Sequence, residues 1–253
     1  MDVQEDMEVV ELQDEVFYSE TKALWVFAYG SLCWKPGFKF HKAVTGHVKG
    51  YQRRFWQGNT THRGTEERPG RVATLVEDYK GMVHGVAFAI SGDEAVSYLA
   101  KRECLLGGYI SQFTTFFPLK GEPFKVLAYV ATPKNPLWMG EADDKDIAHQ
   151  IVDCSGPSGH NVEYLVRLAD FMREHFSDEH DSHLFNLEKE VLELVSRKNM
   201  CLHTLMGSGE GCVSFIRKEL SRSESESTDD EDRIESFEHT TRVQEKTLRC
   251  LNL

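Results

Sequence analysis

Glu103 is the side chain whose position in this sequence best suits acid–base chemistry. The segment that begins at Ser91 predicts a helix that runs to about Cys104, so Glu103 would lie near the helix C-terminus. The helix dipole disfavours a negative charge there, and neighbouring apolar residues could bury the carboxyl group. Both effects would raise its pKa toward the range that a general base requires. The alternative interpretation is a solvent-exposed glutamate paired with Lys101 or Arg102.

A second stretch of interest begins where the strand-like apolar run of residues 25–29 stops at Gly30-Ser31. Glycine lets a backbone approach another group closely, because it has no Cβ atom. A strand that ends in the Tyr-Gly-Ser-Leu sequence of residues 29–32 can present successive N–H groups to an anion. The alternative interpretation is a strand followed by an ordinary loop.

Several motifs follow one another between Trp25 and Val195. They are Phe27 to Leu32 with Trp34-Lys35, Arg53 to Gly58, His62 to Gly64, Pro69 to Arg71, Arg102-Glu103 with Gly107 to Tyr109, and Gly156 to Gly159 with Asn161 and Glu163-Tyr164. Together they resemble the ChaC family, the glutathione-specific gamma-glutamylcyclotransferases. The number and order of the motifs make this resemblance far more specific than Tyr-Gly-Ser-Leu alone.

The resemblance implies an enzyme that cleaves glutathione into 5-oxoproline and Cys-Gly. The α-amine of the glutamyl unit attacks the side-chain carbonyl of the same unit, so the attack is intramolecular. The resemblance also implies that Glu103 is the general base and then the general acid. The substrate-binding residues that it implies are Ala28, Tyr29, Gly30, Ser31, Leu32 and Cys33. Their N–H groups could hold the α-carboxylate or stabilise the oxyanion, and both roles stay open.

Two other functions stay open at this level. One is a cyclotransferase for other gamma-glutamyl amino acids or amines, and the other is a non-catalytic interaction module whose acidic tails recruit protein partners. Ala28 stands where the family usually has glycine, and Cys33 replaces a more usual aliphatic residue. These departures bear on the turnover rate more than on the type of reaction.

The negative charge of the chain is concentrated at its ends. The net charge is −12, yet residues 1–21 contain eight acids and no Lys or Arg, and the body of the chain is close to neutral. We expect an acidic disordered segment over residues 1–22, a catalytic domain over residues 23–200, and an acidic, Ser-rich, largely disordered tail over residues 201–253. The six cysteines form no Cys-x-x-Cys pair, and there is no signal peptide or membrane-spanning run, so we expect a cytoplasmic protein.

Arg53-Arg54-Phe55-Trp56, His62-Arg63 and Arg71 form a basic–aromatic region, and interleaved arginines and aromatics can bind single-stranded nucleic acid. The neutral body disfavours nucleic acid, so we expect core aromatics beside solvated arginines, with help to substrate carboxylates as an intermediate possibility.

His175, His180 and His183 lie among acids but match no zinc motif, so we expect no metal site and no cofactor. Cys104 is expected to be a reduced packing residue rather than a nucleophile.

Strands dominate the first half of the domain and helices the second, which predicts an α+β fold. The predicted strands are residues 25–29, 44–56 (one or two strands), 71–77, 82–90, 113–117 and 125–131, with a hairpin turn at residues 78–81. After the first helix, the predicted helices begin at Asp143-Asp144, at Ser158 and at Asp181. The family resemblance implies a small closed mixed barrel with helices packed outside.

Overall fold

The computed structural model describes residues 8–12, 23–90 and 93–217. Its strands are β1 (Glu8–Leu12), β2 (Leu24–Ala28), β3 (Lys42–Asn59), β4 (Gly70–Ile90), β5 (Ile110–Pro118), β6 (Phe124–Val130), β7 (Ser155–Gly156), β8 (Gly159–His160) and β9 (Val213–Arg217). Its α-helices are α1 (Asp93–Leu99), α2 (Asp144–Asp153), α3 (Asn161–His175), α4 (Ser182–Arg197) and α5 (Leu202–Leu205). A 3₁₀ turn spans Ser31–Cys33, and a π-helical segment spans Ala100–Leu106.

Within this described part of the chain, β2, β4, β3, β5 and β6 close a barrel in that order. Neighbouring strands are antiparallel except β2 and β6, whose parallel pairing at Val26 and Leu127 completes the barrel. In β6, Phe124 and Val126 are buried while Lys125 between them is exposed, which is the alternation expected of a strand with one face in the core. The predicted α+β class and closed mixed barrel are confirmed.

The hairpin predicted at residues 78–81 is wrong. β3 and β4 are two long strands that pair along their whole length, with Glu77 opposite Tyr51 and Met82 opposite Lys49. Residues 78–81 are therefore extra residues in β4, opposite the bulge at Gly50, whose φ of +85° favours glycine. The local turn signal was real, but both halves of β4 pair with β3 instead of with each other.

The helices cover the barrel with their apolar faces. The buried residues include Val162, Leu165, Val166, Ala169 and Met172 on α3 and Leu184, Leu187, Val191 and Leu194 on α4. Asp181 caps α4 as expected, because its side chain accepts the N–H of Leu184 at 3.1 Å.

The helix start predicted at Ser158 is wrong, whereas the start predicted at Asp143-Asp144 is confirmed without the side-chain cap. α3 begins after His160 rather than Ser158, and the His160 ring accepts the N–H of Val162 at 3.2 Å. Ser158 instead lies in the turn between β7 and β8. Asp143 does precede α2, but its side chain makes no capping hydrogen bond there.

The folded part of the chain extends beyond the predicted boundary at residue 200. β9 pairs in parallel with β1, with Val213 opposite Glu8, so the segment of residues 1–22 that was predicted to be disordered also contains a strand. Phe215 is buried against Phe88 and Phe171, so residues 201–217 include packed structure that the acidic composition nearby concealed. The disorder predicted for the remaining tail residues concerns positions outside the described part.

Arg53 is a buried cation that joins three parts of the fold. Its Nε donates to the carbonyl of Tyr29 at 3.0 Å, at the end of β2. Its Nη2 donates to the carbonyl of His84 in β4 at 2.6 Å, and its Nη1 pairs with the Asp181 carboxylate at 2.7 Å. Because the side chain is fully buried, each of these acceptors replaces water that the guanidinium has lost.

Replacing Arg53 with Met should lower the free energy of unfolding by about 3–5 kcal/mol, since it leaves a carboxylate and two carbonyls without their donor. Denaturant titration followed by circular dichroism measures this change. Arg54→Met is the matched control: within the described part of the chain, this half-buried side chain donates hydrogen bonds only to Gln52 and Arg53, and we expect a loss of about 1 kcal/mol or less. Equal losses in both variants would contradict the bridging role of Arg53.

Candidate active site

A cavity of about 400 Å³ opens at the end of β2. Its walls include Glu103 and the predicted binding residues Ala28, Tyr29, Gly30, Ser31 and Leu32. Cys33 does not line it: the side chain is buried in the core, and this burial raises the pKa of its thiol to about 12. Two motifs about 70 residues apart in sequence are therefore adjacent in the fold, as Arg102 Nη2 shows by donating to Ser31 Oγ at 2.8 Å.

The turn after β2 is tightly wound. The N–H of Cys33 bonds to the carbonyl of Gly30 at 2.9 Å, and the N–H of Lys35 bonds to the carbonyl of Ser31 at 2.8 Å. Gly30, Ser31 and Leu32 stand at the start of the 3₁₀ turn, where backbone N–H groups have no acceptor within the turn itself. Unpaired N–H groups beside a cavity are what an anion-binding turn requires.

Gly30 is required by a close approach. A Cβ atom at this position would lie 2.6 Å from the Tyr164 hydroxyl oxygen, well inside contact distance. The absence of a side chain therefore lets the turn pack against α3.

Glu103 lies in the π-helical segment rather than in a continuous α-helix. α1 ends at Leu99, about five residues earlier than the sequence predicted, and the wider π turn follows it. The side chain of Glu103 is 16% exposed and pairs with Arg102, whose Nε lies 3.1 Å from Glu103 Oε1. Burial raises the pKa of Glu103, and the Arg102 charge partly opposes that shift. The alternative interpretation, a solvent-exposed Glu103 paired with Lys101 or Arg102, was therefore right about the partner Arg102 and wrong about the exposure.

Four tyrosines surround this carboxylate. Burial is the main cause of the raised pKa values of Tyr29, Tyr109, Tyr129 and Tyr164, and the Glu103 charge contributes to each. Three of the hydroxyls are fixed by hydrogen bonds: Tyr29 donates to the carbonyl of Tyr129, Tyr109 donates to the carbonyl of Ala73, and Tyr164 accepts the N–H of Ala73. This wall removes water from Glu103 while its hydroxyls stay neutral. Tyr109 and Tyr164 were within recognised motifs, but sequence reasoning gave them no role.

Arg102 joins the carboxylate to the turn. While its Nη2 donates to Ser31 Oγ, its Nη1 donates to the carbonyls of Lys35 at 3.2 Å and Pro36 at 3.3 Å. One guanidinium therefore fixes the position of Glu103 relative to residues 31–36.

A second buried carboxylate, Glu163, lies beside the cavity but is neutralised. Arg63 Nη1 lies 2.5 Å from Glu163 Oε2, and Arg167 Nε lies 2.7 Å from Glu163 Oε1. Both oxygens are occupied, so this group is structural.

The arginines of the basic–aromatic region are buried rather than solvated as expected. Arg53, Arg63 and Arg71 are each at most 5% exposed. Arg71 donates to Gln150 Oε1 and to the carbonyl of Gly140, which places it within the fold. Side chains held in this way do not form an exposed basic surface.

The histidine cluster is dispersed by the fold. His180 stacks on Phe185, and His183 Nε2 accepts the N–H of Phe55. Across residues 8–12, 23–90 and 93–217, no three His, Cys, Asp or Glu side chains are grouped as metal ligands would be. Cys104 is half-buried, and burial followed by the Glu103 charge raises the pKa of its thiol, which disfavours a thiolate nucleophile.

Comparison with solved structures gives the class of fold. A crystal structure of a yeast gamma-glutamyl cyclotransferase specific to glutathione superposes with a TM-score of 0.63 at 25% identity, covering 68% of this chain and 97% of its own. In the described part of this chain, no helix is long and apolar enough to span a membrane.

Sequence comparison gives the family. The model of the ChaC-like proteins matches residues 24–194. Glutathione-specific gamma-glutamylcyclotransferase 1 of Danio rerio is 47% identical over 178 residues, which cover 68% of this chain and 91% of the relative. The human protein of that name is 50% identical over 170 residues, which cover 65% of this chain and 77% of the relative. The chain belongs to the ChaC-like family.

The buried charge of Glu103 should cost stability. Because burial raises its folded-state pKa, its contribution favours folding most below the ordinary carboxyl pKa and is lost as the pH rises through the raised value. Glu103→Gln should therefore melt higher than wild type at pH 7.5, by about 2–4 °C for each kcal/mol relieved. The two proteins should converge below about pH 4, where the glutamate is protonated in both states. Differential scanning calorimetry checks both points.

Glu163→Gln is the matched control and should have the opposite sign. It removes a buried carboxylate from two guanidinium partners and should destabilise the protein by about 3–5 kcal/mol. If both variants lowered the melting temperature at neutral pH, Glu103 would be a structural ion pair like Glu163.

Proposed function

We propose that this chain cleaves glutathione into 5-oxoproline and Cys-Gly, with Glu103 as the acid–base residue. The observation that carries the proposal is the placement of a buried carboxylate with a raised pKa against the anion-binding turn of residues 29–32. The names of the most similar relatives, which describe glutathione-specific gamma-glutamylcyclotransferases, support the same substrate.

The reaction requires a deprotonated amine. The α-amine of the glutamyl unit has a reference pKa near ~8, so it is mostly protonated at neutral pH. The ammonium loses one proton to solvent, and Glu103 accepts a second as the amine nitrogen attacks the γ-carbonyl carbon of the same unit. A five-membered lactam closes as the C–N bond to cysteine breaks, and the carboxyl group returns a proton to the departing nitrogen.

The environment of Glu103 suits both halves of this exchange. Burial makes the carboxylate a stronger base than one in water, while Arg102 keeps enough of it ionised to accept the proton. The tyrosine wall excludes water, which favours the internal amine over hydrolysis. Most of the remaining rate enhancement comes from holding the glutamyl chain in a ring-like conformation.

The turn serves an anionic part of the same glutamyl unit. The N–H groups of Gly30, Ser31 and Leu32 bind its α-carboxylate or the oxyanion that develops on the γ-carbonyl. Tyr29 and Ala28 complete this wall of the cavity. Cys33 does not take part in this binding, because its side chain is buried in the core.

Cleavage of other gamma-glutamyl compounds is the second candidate, because the elements proposed so far contact the glutamyl unit alone. We further propose that the protein acts in the reducing cytoplasm, since Cys33, Cys104, Cys154 and Cys212 are free thiols. The acidic tails remain proposed sites for protein partners.

Glu103→Gln should lower kcat for 5-oxoproline formation from glutathione by at least about a hundredfold, with KM changed little, because general-base catalysis is typically worth about 10²–10⁴-fold. Quantifying 5-oxoproline by mass spectrometry measures this loss in the purified protein. If the variant kept more than about a tenth of wild-type kcat, the loss would be too small for Glu103 to be the group that transfers the proton.

N-acetylated glutathione separates cyclisation from hydrolysis. Acetylation removes the nucleophile but leaves the scissile amide, so wild-type protein should release no Cys-Gly from it. Release of Cys-Gly would mean that water attacks, and the proposed mechanism would be wrong.

The acid limb of the kcat/KM profile should reflect Glu103. The rate should fall as the pH drops through the raised carboxyl pKa, because the protonated group cannot act as a base. Arg102→Gln should move this limb to higher pH, since the arginine charge lowers the Glu103 pKa. Lys101→Gln removes an equal charge from an exposed neighbour and should leave the limb in place. An unmoved limb in Arg102→Gln would show that another group controls it.

A further inference from the structure

Lys35 is a cavity-lining cation whose described partner is neutral. Arg63 and Arg102 also line the cavity, but each is paired with a carboxylate, Glu163 and Glu103 respectively. The Lys35 ammonium instead donates to the backbone carbonyl of Glu210 at 2.8 Å. A carbonyl leaves the positive charge uncompensated, so Lys35 offers the cavity a charge that a ligand carboxylate can neutralise.

The position of Lys35 is fixed relative to the acid–base residue. Its N–H bonds to the carbonyl of Ser31, which places it about one turn beyond the anion-binding N–H groups. Its carbonyl accepts from Arg102, which also pairs with Glu103. An extended Cys-Gly unit spans about 7 Å. This length is close to one helical turn of roughly 5.4 Å, which separates Lys35 from the N–H groups of the turn, so the carboxylate at the end of the unit would lie near Lys35.

A segment outside the matched family range supports the lysine side chain. Residues 207–212 follow α5, and Gly211 lines the cavity. A Cβ atom on Gly211 would lie 3.4 Å from Lys35 Cε, and its φ of +72° favours glycine. The N–H of Val213 bonds to the carbonyl of Trp34 at 2.8 Å, and Arg167 Nη2 donates to the carbonyl of Met206 at 3.1 Å. The segment is therefore anchored at both ends while its centre contacts Lys35.

Glutathione carries two carboxylates, and the function proposed above uses only the one on the glutamyl unit. We infer that Lys35, held by the carbonyl of Glu210, binds the glycyl carboxylate of glutathione and thereby selects it over other gamma-glutamyl compounds. This inference rests on the proposed function. It gives residues 207–212 a role in specificity, because they position the lysine without touching the reacting atoms.

The test pairs glutathione with its C-terminal amide, which has the same length and lacks only the glycyl charge. Wild type should favour glutathione over the amide by about 10–100-fold in kcat/KM, the range expected for a hydrogen bond to a charged group. Lys35→Met should reduce that ratio to within about threefold of one, mainly by raising KM for glutathione. Lys35→Arg keeps the charge and should restore most of the preference.

Two further variants separate specificity from folding. Lys39→Met removes an exposed lysine from the same turn region, outside the cavity, and should leave the preference unchanged. Gly211→Ala strains the backbone and crowds Lys35, so it should reduce the preference in the same direction.

The outcomes are distinguishable. A wild type that cleaves glutathione and its amide equally well would overturn the inference and leave the proposed function intact. A Lys35→Met variant that loses activity equally with both compounds would do the same, because the lysine would then act on the site in general. A wild type that forms no 5-oxoproline from either compound would overturn the proposed function and the inference with it.

Discussion

The buried guanidinium of Arg53 is the interaction on which the rest of the structure depends. It is shared by the end of β2, the middle of β4 and the first turn of α4, three elements far apart in sequence. A cation without water needs all of its acceptors, so the three elements can meet in only a narrow range of arrangements. The carbonyl that it holds belongs to Tyr29, the residue at which the barrel strand leads into the turn that lines the cavity. The rigidity of the barrel is thereby transmitted to the cavity.

Two buried carboxylates near this cavity show how environment assigns different roles to one side-chain type. Glu163 has a guanidinium on each oxygen, which satisfies its charge and fixes α3 against the loop that carries Arg63. Glu103 has one arginine and a wall of tyrosines, so desolvation outweighs the stabilisation of its charge. The arrangement trades stability for basicity, which is a recurrent property of sites that move protons.

The segment that follows α5 changes the description of the domain. Composition assigned residues 201–217 to a tail, yet Cys212 and Phe215 are buried and Gly211 lines the cavity. The family model ends at residue 194, so this wall is built from chain beyond the matched range. In our proposal the matched range supplies the chemistry, while this added segment adjusts which gamma-glutamyl compound fits.

The sequence by itself determined where the barrel strands lie, although it divided β4 in two, and it also determined the existence of α3 and α4, the cap at Asp181 and the family motifs. Period, capping and motif order are properties of neighbouring residues. It also identified Glu103, whose role remains a proposal. Only the tertiary structure decided that Arg53, Arg63 and Arg71 are buried, that four tyrosines surround the carboxylate, and that β9 pairs with β1. Each of these depends on contacts between residues far apart in the chain. Burial and its effect on pKa arise only when distant segments displace water together, and no local pattern records which segments those are.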